Sequence, residues 1–152
     1  MRTETITSAQ NSKIKMLLAL GEKSRTRREN SLFVVEGRKE IGHCLDAGYK
    51  VRTLFACPEI IPERELEIIS ERCGEDCTIV NVPAHLYEKI AYRGSTEGVI
   101  AEAEIIDKSL GDIKLRENPL VIVLESVEKP GNLGAVLRTA DAADADAVII
   151  CD

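Results

Sequence analysis

The sequence predicts an α/β fold: a small α/β/α domain followed by a single βαβ unit. From residue 33 to 103, apolar runs of strand length alternate with amphipathic helical segments. Residues 120–124 and 147–151 are continuous apolar runs on either side of an alanine-rich helical segment, as expected of parallel strands. With 152 residues and 44% hydrophobic content, the chain can bury one core and part of a second.

The first predicted helix covers residues 8–20, because Ile14, Leu17 and Leu18 recur at helical spacing. Ser8 or Asn11 is its expected cap and Gly21 its expected end. The elements that follow are predicted as strand 33–35, helix 38–47, strand 51–56, helix 63–72, strand 77–80, helix 84–91 and strand 98–103. Such alternation predicts a sandwich around a largely parallel or mixed sheet.

Four segments are expected along the chain. Residues 1–30 are predicted to be a basic helix and loop, and residues 31–106 the α/β domain. Residues 107–118 are predominantly polar and are predicted to be a linker, and residues 119–152 begin the next domain. The chain has no convincing repeat and no low-complexity tract.

The turn after the first strand of the βαβ unit carries the most specific motif. It reads Pro130-Gly131-Asn132-Leu133-Gly134-Ala135, with Arg138-Thr139-Ala140 following. Asn132 is predicted to cap the helix, Gly131 to permit a tight turn and Gly134 to allow close packing against a strand. The spacing lacks the third glycine of a dinucleotide fingerprint, which argues against a nicotinamide site.

This motif closely resembles the first motif of the SpoU branch of the SPOUT RNA methyltransferases. Upstream, Asn11, Lys13, Lys15 and residues 33–38 are similar to the substrate-binding domain that precedes the catalytic domain in this family. The resemblance implies S-adenosylmethionine-dependent methylation of a ribose 2'-hydroxyl in ribosomal or transfer RNA. It also implies a homodimeric intact enzyme.

In the family, two further motifs build the cofactor pocket and much of the dimer interface, and both are expected beyond Asp152. We therefore interpret the chain as the amino-terminal fragment of a methyltransferase. It is expected to bind RNA, but neither to bind S-adenosylmethionine nor to catalyse.

By resemblance, Asn132 and Arg138 occupy the reactive-site positions. Asn132 would orient the loop or the substrate, and Arg138 would contact the target ribose and phosphate. Arg138 would assist deprotonation as a base or, since a guanidinium is normally only a donor, stabilise the developing alkoxide. The structural alternatives are a helix cap for Asn132 and an ion pair of Arg138 with Asp141 or Asp144. Glu125 and Glu128 follow the first strand, at the edge where open α/β sheets place ligands.

The net charge of −6 argues against nucleic acid, but the basic residues are clustered. The predicted RNA-binding residues are Lys13, Lys15, Lys23, Arg25, Arg27, Arg28 and Arg38. The alternative is a solvated surface whose charges only maintain solubility. Aromatic content is 3%, so recognition is expected through phosphates and RNA shape. The Tyr92-Arg93 pair in the loop of residues 92–96 is a further candidate RNA contact.

Several classes of protein and site are excluded or disfavoured. No apolar run has the length of a membrane span or of a signal peptide. Five scattered cysteines favour reduced thiols and a cytoplasmic protein. Cys73 and Cys77 lack the paired spacing of a zinc site, even with His43 and His85 elsewhere, and no metal is expected.

Three functions are compatible with these observations. The leading one is an RNA ribose 2'-O-methyltransferase, present here in part. The second is a non-catalytic RNA-binding module. The third, a small metabolite-binding α/β protein, rests only on the βαβ pattern.

Overall fold

The computed structural model describes residues 2–92 and 97–151. It divides into two compact units, Met1–Ile106 and Asp107–Asp152. The segment predicted to be a linker, residues 107–118, therefore belongs to the second unit.

The first unit is built around a five-stranded mixed sheet. Its strands are β1 (Arg2–Thr5), β2 (Leu32–Glu36), β3 (Val51–Ala56), β4 (Thr78–Asn81) and β5 (Val99–Glu104). The strand order is β1-β4-β3-β5-β2. Strands β1, β4 and β3 are parallel, while β5 runs antiparallel to both β3 and β2. The predicted mixed sheet is confirmed.

Within the described residues of this unit, five helices accompany the sheet and give the predicted α/β/α arrangement. They are α1 (Ser12–Glu22), α2 (Ser24–Asn30), α3 (Arg38–Asp46), α4 (Glu63–Cys73) and α5 (Ala84–Ile90). One apolar cluster joins α1 and α5 to the sheet through Ile14, Phe55 and Tyr87. A second cluster joins α3 and α4 to the other side through Ile41 and Leu54. Burial on both faces explains why three consecutive apolar residues, Leu54, Phe55 and Ala56, end β3.

The sequence predicted that residues 1–30 form a separate basic helix and loop. The structure differs, because these residues belong to the first unit. Residues 2–5 form the edge strand β1 and pair with β4, although Arg, Thr, Glu and Thr carry no apolar pattern. Asn11 caps α1 by accepting the Lys13 N–H at 2.9 Å, which confirms one of the two predicted caps. The helix ends at Glu22, one residue beyond Gly21. The first turn predicted from Ser8 is absent, because Asn11 has extended backbone.

Gly98 allows β5 to begin close to the segment before α4. Its φ is +75°, and a Cβ atom there would lie 2.7 Å from the backbone nitrogen of Ile61. Glycine is required here both by the left-handed conformation and by the close approach.

The second unit contains two parallel strands and one long helix. They are β6 (Val121–Glu125), α6 (Pro130–Ala142) and β7 (Ala147–Cys151), preceded by a short 3-10 helix at Leu110–Asp112. Strands β6 and β7 pair in register from Val121↔Ala147 to Glu125↔Cys151. This is the predicted βαβ unit. Part of its strand surface is exposed, with Val123 at 62% and Ile150 at 53%.

Arg116 ties the segment before β6 to the turn after α6. Its guanidinium pairs with Asp146 at 2.7 Å and also pairs with Asp144. Asp146 in turn accepts the backbone N–H of Leu120 at 2.8 Å. The Asp146 side chain is only 3% exposed as a result.

Helix α6 begins earlier than predicted. Pro130 occupies its first turn and Lys129 is its cap, because proline lacks an N–H and its fixed φ suits the first helical position. Asn132 therefore lies inside the first turn and is not the cap. Gly131 lies within the helix, and no described atom beyond the helix backbone lies within 4 Å of the position that a Cβ atom would take there. It therefore does not form the predicted tight turn.

Candidate functional site

A sharp turn follows β6 and leads into α6. Ser126 has a φ of +52°, a left-handed conformation that costs energy for a residue other than glycine and that clusters at functional sites. An open cavity of about 330 Å³ lies directly after this turn. It is lined by Ser126, Val127, Glu128, Lys129, Asn132 and Val136. The structure thus brings Asn132 and Glu128 together at the carboxyl end of β6, as expected for a ligand edge.

Arg138 is, after Asn132, the second residue predicted at the reactive site, and its side chain is exposed. The Nη1 atom lies 3.6 Å from the position a Gly134 Cβ would take, so the side chain extends back along α6 over Gly134. The prediction that Gly134 allows close approach to a strand is therefore wrong. Beyond the helix backbone, the only described atom within 4 Å of that position belongs to the Arg138 guanidinium, at an ordinary contact distance.

No ion pair or hydrogen bond engages the Arg138 guanidinium within residues 2–92 and 97–151. Asp144, one of the two predicted partners, pairs with Arg116. The structural alternative for Arg138 is thus absent. Asn132 and Arg138 are six residues apart on the helix, which places them about 120° apart around its axis. They do not share one face of α6, and Arg138 does not line the cavity after β6.

Four of the seven predicted RNA-binding residues have intramolecular partners. Lys13 pairs with Glu4. Arg25 pairs with Glu29 at 2.6 Å. Arg27 donates to the Leu20 carbonyl at 2.8 Å and so holds the end of α1.

Arg38 is the fourth residue with intramolecular partners. It pairs with Glu65 and, at 3.6 Å, with Glu97. The hydrogen bond to Glu65 raises the pKa of Arg38. The carboxylates of Glu65 and Glu97 already pair with its guanidinium. Arg38 therefore holds the start of α3 to α4 and to the segment before β5.

Lys15, Lys23 and Arg28 differ from these four. All three are exposed, and no ion pair engages them in the described part of the chain. Lys15 lies on α1, Lys23 between the two helices and Arg28 in the last turn of α2. Of the seven predicted residues, these three remain available to phosphate groups.

Other predicted features occupy different places. Tyr92 is 87% exposed, and residues 93–96 of its predicted RNA-contacting loop lie outside the described residues. All five cysteines are free. A hydrogen bond between the Cys73 and Cys77 thiols raises the pKa of Cys73 and lowers that of Cys77.

No group of three or more His, Cys, Asp or Glu side chains in residues 2–92 and 97–151 is arranged to hold a metal ion. None of the helices formed by those residues has the length and apolarity needed to cross a membrane.

Sequence reasoning missed one residue, Glu102. It is 6% exposed although it carries a carboxyl group, and burial raises its pKa. No local pattern could have found it, because the alternation of Glu102 with Ala101 and Ala103 predicts a carboxyl group on the solvent face of the strand, whereas both faces of β5 are buried.

The comparisons with known proteins agree with this architecture. Residues 11–101 match the family model of the MRM3-like substrate binding domain. Residues 119–152 match the SpoU rRNA Methylase family. The first unit thus carries a substrate-binding domain and the second carries methyltransferase sequence.

Two curated relatives are 23S rRNA guanosine 2'-O-methyltransferases. RlmP of Bacillus subtilis is 28% identical over 148 residues, covering 97% of this chain and 54% of that protein. RlmB of Haemophilus influenzae is 47% identical over 108 residues, covering 59% of this chain and 44% of that protein. The chain thus spans about half the length of these relatives.

Solved structures show the same similarity. An RNA 2'-O ribose methyltransferase superposes with a TM-score of 0.79 at 31% identity, covering 98% of this chain and 56% of that one. An AdoMet-bound rRNA methyltransferase from Sinorhizobium meliloti gives 0.84 at 29% identity, covering 97% and 54%.

A substrate-binding α/β/α unit followed by a parallel βαβ unit is the architecture of an RNA-modifying methyltransferase of the SPOUT superfamily. Within that superfamily, the chain belongs to the SpoU/TrmH family.

Proposed function

We propose that this chain provides the RNA-binding unit and the start of the catalytic unit of an S-adenosylmethionine-dependent ribose 2'-O-methyltransferase. Its substrate is ribosomal or transfer RNA, as the names of its relatives indicate for those proteins. The intact enzyme acts as a homodimer. The free cysteines suit a reducing compartment, and we place the enzyme in the cytoplasm.

The observation that carries the catalytic part is the free guanidinium of Arg138. Of the carboxylates that follow it in sequence, Asp144 and Asp146 pair with Arg116, and Asp141 has no ion pair with Arg138 in the described residues. Arg138 extends over Gly134 and keeps its donors available. The planar fork then binds the phosphate beside the target ribose and stabilises negative charge on the 2'-oxygen. This role requires no loss of the guanidinium proton, which is why we prefer it to a base.

Asn132 is proposed to contact the substrate from another face of α6. Its exposed amide lines the cavity after β6 together with Glu128. An amide both donates and accepts hydrogen bonds, as recognition of a ribose or a base requires.

The described residues do not by themselves fit S-adenosylmethionine. The cavity after β6 is open, and its apolar lining consists of Val127 and Val136. Cofactor sites usually bury most of the ligand between apolar walls with convergent polar groups. We therefore propose that residues 1–152 alone bind RNA but not the cofactor, and we derive no step through it.

RNA binding is the part of the proposal that this chain can test directly. Lys15, Lys23 and Arg28 should contribute to binding through phosphate contacts, each adding about 0.7–0.9 to the slope of log affinity against log salt. Replacing all three by Ala should weaken binding to a labelled RNA hairpin and reduce the slope by about 2–3. Fluorescence anisotropy across a salt series measures both quantities.

The matched control is the triple replacement of Arg64, Lys89 and Lys114, which are exposed basic residues outside the predicted set. It removes the same charge and should leave the slope closer to that of the original chain. Equal losses in the two triple variants would mean that net charge alone governs binding. Absence of RNA binding by the original chain would contradict the proposal.

A further inference from the structure

A second cavity, of about 440 Å³, lies in the first unit. Its volume is within the range of about 300–1,000 Å³ that small-molecule clefts occupy. It is lined by Asn30, Ser31, Leu32, Arg52, Thr53, Glu102, Glu104 and Ile105. None of these residues belongs to the sequence motifs discussed above.

Glu102 is the distinctive residue of this cavity. It lies opposite Thr53 in the pairing of β5 with β3. Burial raises the pKa of its carboxyl group, and the neighbouring Thr53 side chain lowers it. Glu102 is 6% exposed, yet its Oε1 atom has no hydrogen-bond partner among the described residues. A buried polar atom without a partner is destabilising, so its retention calls for an explanation.

The charged side chains near Glu102 do not supply a partner for its Oε1 atom. Lys13 is close enough to favour the charged form of Glu102, but its ammonium group pairs with Glu4. Arg52, which also lines the cavity, pairs with Glu104. The Oε1 atom therefore has unused capacity to accept a hydrogen bond from an incoming N–H group.

The other lining residues suit a flat, partly polar ring. Leu32 and Ile105 provide apolar surface, and the Arg52 guanidinium provides a planar group on which a base can stack. Asn30 and Ser31 add donors and acceptors at the end of α2. Ser31 donates its N–H to the carbonyl of Arg28 at 3.3 Å. The unpaired cation Arg28 therefore lies one helical turn from Ser31.

We propose that this cavity binds an unpaired RNA base through an exocyclic amino group that donates to Glu102. Cytosine and adenine present such an amino group, whereas uracil presents a carbonyl oxygen in its place. A carbonyl opposite Glu102 would leave two acceptors facing each other. The inference rests on the proposed RNA-binding function and adds selectivity for amino-bearing bases in a single-stranded segment.

The test compares octacytidylate with octauridylate, two probes of equal charge. Their bases differ at C4, which carries an amino group in cytosine and a carbonyl in uracil, and at N3, which is an acceptor in cytosine and an N–H donor flanked by two carbonyls in uracil. The 152-residue chain should bind octacytidylate about tenfold more tightly, the discrimination expected of one good base contact. Glu102→Gln should bring the two affinities to within about twofold, because an amide can donate to uracil as well as accept from cytosine. Fluorescence anisotropy at constant salt gives the ratio.

Glu71→Gln is the matched control, since it removes a carboxylate from an exposed position on α4, on the other side of the sheet. It should keep the tenfold preference. An equal affinity of the original chain for both probes, or an unchanged preference in Glu102→Gln, would overturn the inference while leaving RNA binding intact. Binding of neither probe would contradict RNA binding as well.

A second measurement covers the case in which Glu102→Gln does not fold. Titration of the isotopically labelled original chain with octacytidylate should shift the backbone amide signals of Ser31, Thr53 and Glu102. Shifts confined to other residues would overturn the inference. So would a lysine-containing peptide that displaces octacytidylate and shifts the same amides more strongly, since it would assign the cavity to a protein partner.

Discussion

Arg138 is expected to act in chemistry and to contribute little to folding. Its guanidinium has no partner in the described part of the chain, so Arg138→Ala should leave the melting temperature nearly unchanged. In the catalytically active protein, methyl transfer should fall by about 100-fold or more, the scale seen when one preorganised charge-stabilising donor is removed. Arg138→Lys should restore little activity, because an ammonium group cannot reproduce a bidentate contact. Single-turnover methyl transfer measures the effect.

Asn132→Ala is the companion variant. A helix cap would make it destabilising by about 1 kcal/mol, but Lys129 holds the cap position and Asn132 is exposed. We therefore expect a change in stability within about 0.5 kcal/mol together with reduced activity.

A near-normal transfer rate in Arg138→Ala with a clearly lower melting temperature would assign Arg138 to structure instead.

The turn between α6 and β7 depends on one carboxylate. Hydrogen bonds from Arg116, and then from the Leu120 N–H, hold the pKa of Asp146 well below its usual range. A depressed pKa in the folded state means that the charged form stabilises the fold above the pKa of the unfolded state, about 3.9. This stabilisation is lost as the pH falls from about 5 toward the folded-state pKa.

Asp146→Asn should therefore lower the denaturant midpoint of the second unit at pH 7. The difference from the original chain should shrink progressively at acid pH. Asp141→Asn is the control, because Asp141 is exposed and no ion pair engages it in the described residues. A destabilisation by Asp146→Asn that stays constant from pH 7 to pH 3 would show that the charge of Asp146 does not stabilise this turn.

The two units together are expected to bind RNA without binding the cofactor. The second unit has an open cavity after β6 and an exposed strand surface at Val123 and Ile150. Neither feature could enclose a ligand of the size of the cofactor. Isothermal calorimetry of the 152-residue chain with S-adenosylmethionine should give no measurable heat of binding. The relative of known structure that holds AdoMet is nearly twice as long as the matched region, and such a protein is the positive control. Micromolar binding by this chain would mean that the described residues form a pocket after all.

The charge of the whole chain and the charge of its proposed RNA-binding surface have opposite signs. The net charge is −6, while Lys15, Lys23 and Arg28 are exposed cations within the first thirty residues. A local cluster of this kind attracts phosphates even in an acidic protein. The acidic remainder should restrict binding to this surface.

The sequence determined the order and type of most elements, because hydrophobic periodicity depends on local spacing alone. Strand β3 and strand β7 begin and end where they were predicted, at Val51–Ala56 and Ala147–Cys151. The motif at residues 130–140 also identified the family before any contact was known. Strand β1 gave no such signal, since its pairing with β4 depends on backbone hydrogen bonds and not on side-chain pattern.

Tertiary structure alone decided which polar residues remain free. Lys13 and Lys15 look alike in the sequence, yet only Lys13 meets a carboxylate, because the fold brings Glu4 of β1 beside α1. The same holds for Arg38, whose partners Glu65 and Glu97 are 27 and 59 residues away in sequence. Glu102 likewise became a candidate binding residue only when strand pairing placed it opposite Thr53 in a cavity. Ion pairs and cavities arise between segments distant in sequence, and their geometry is set by packing that no local pattern encodes.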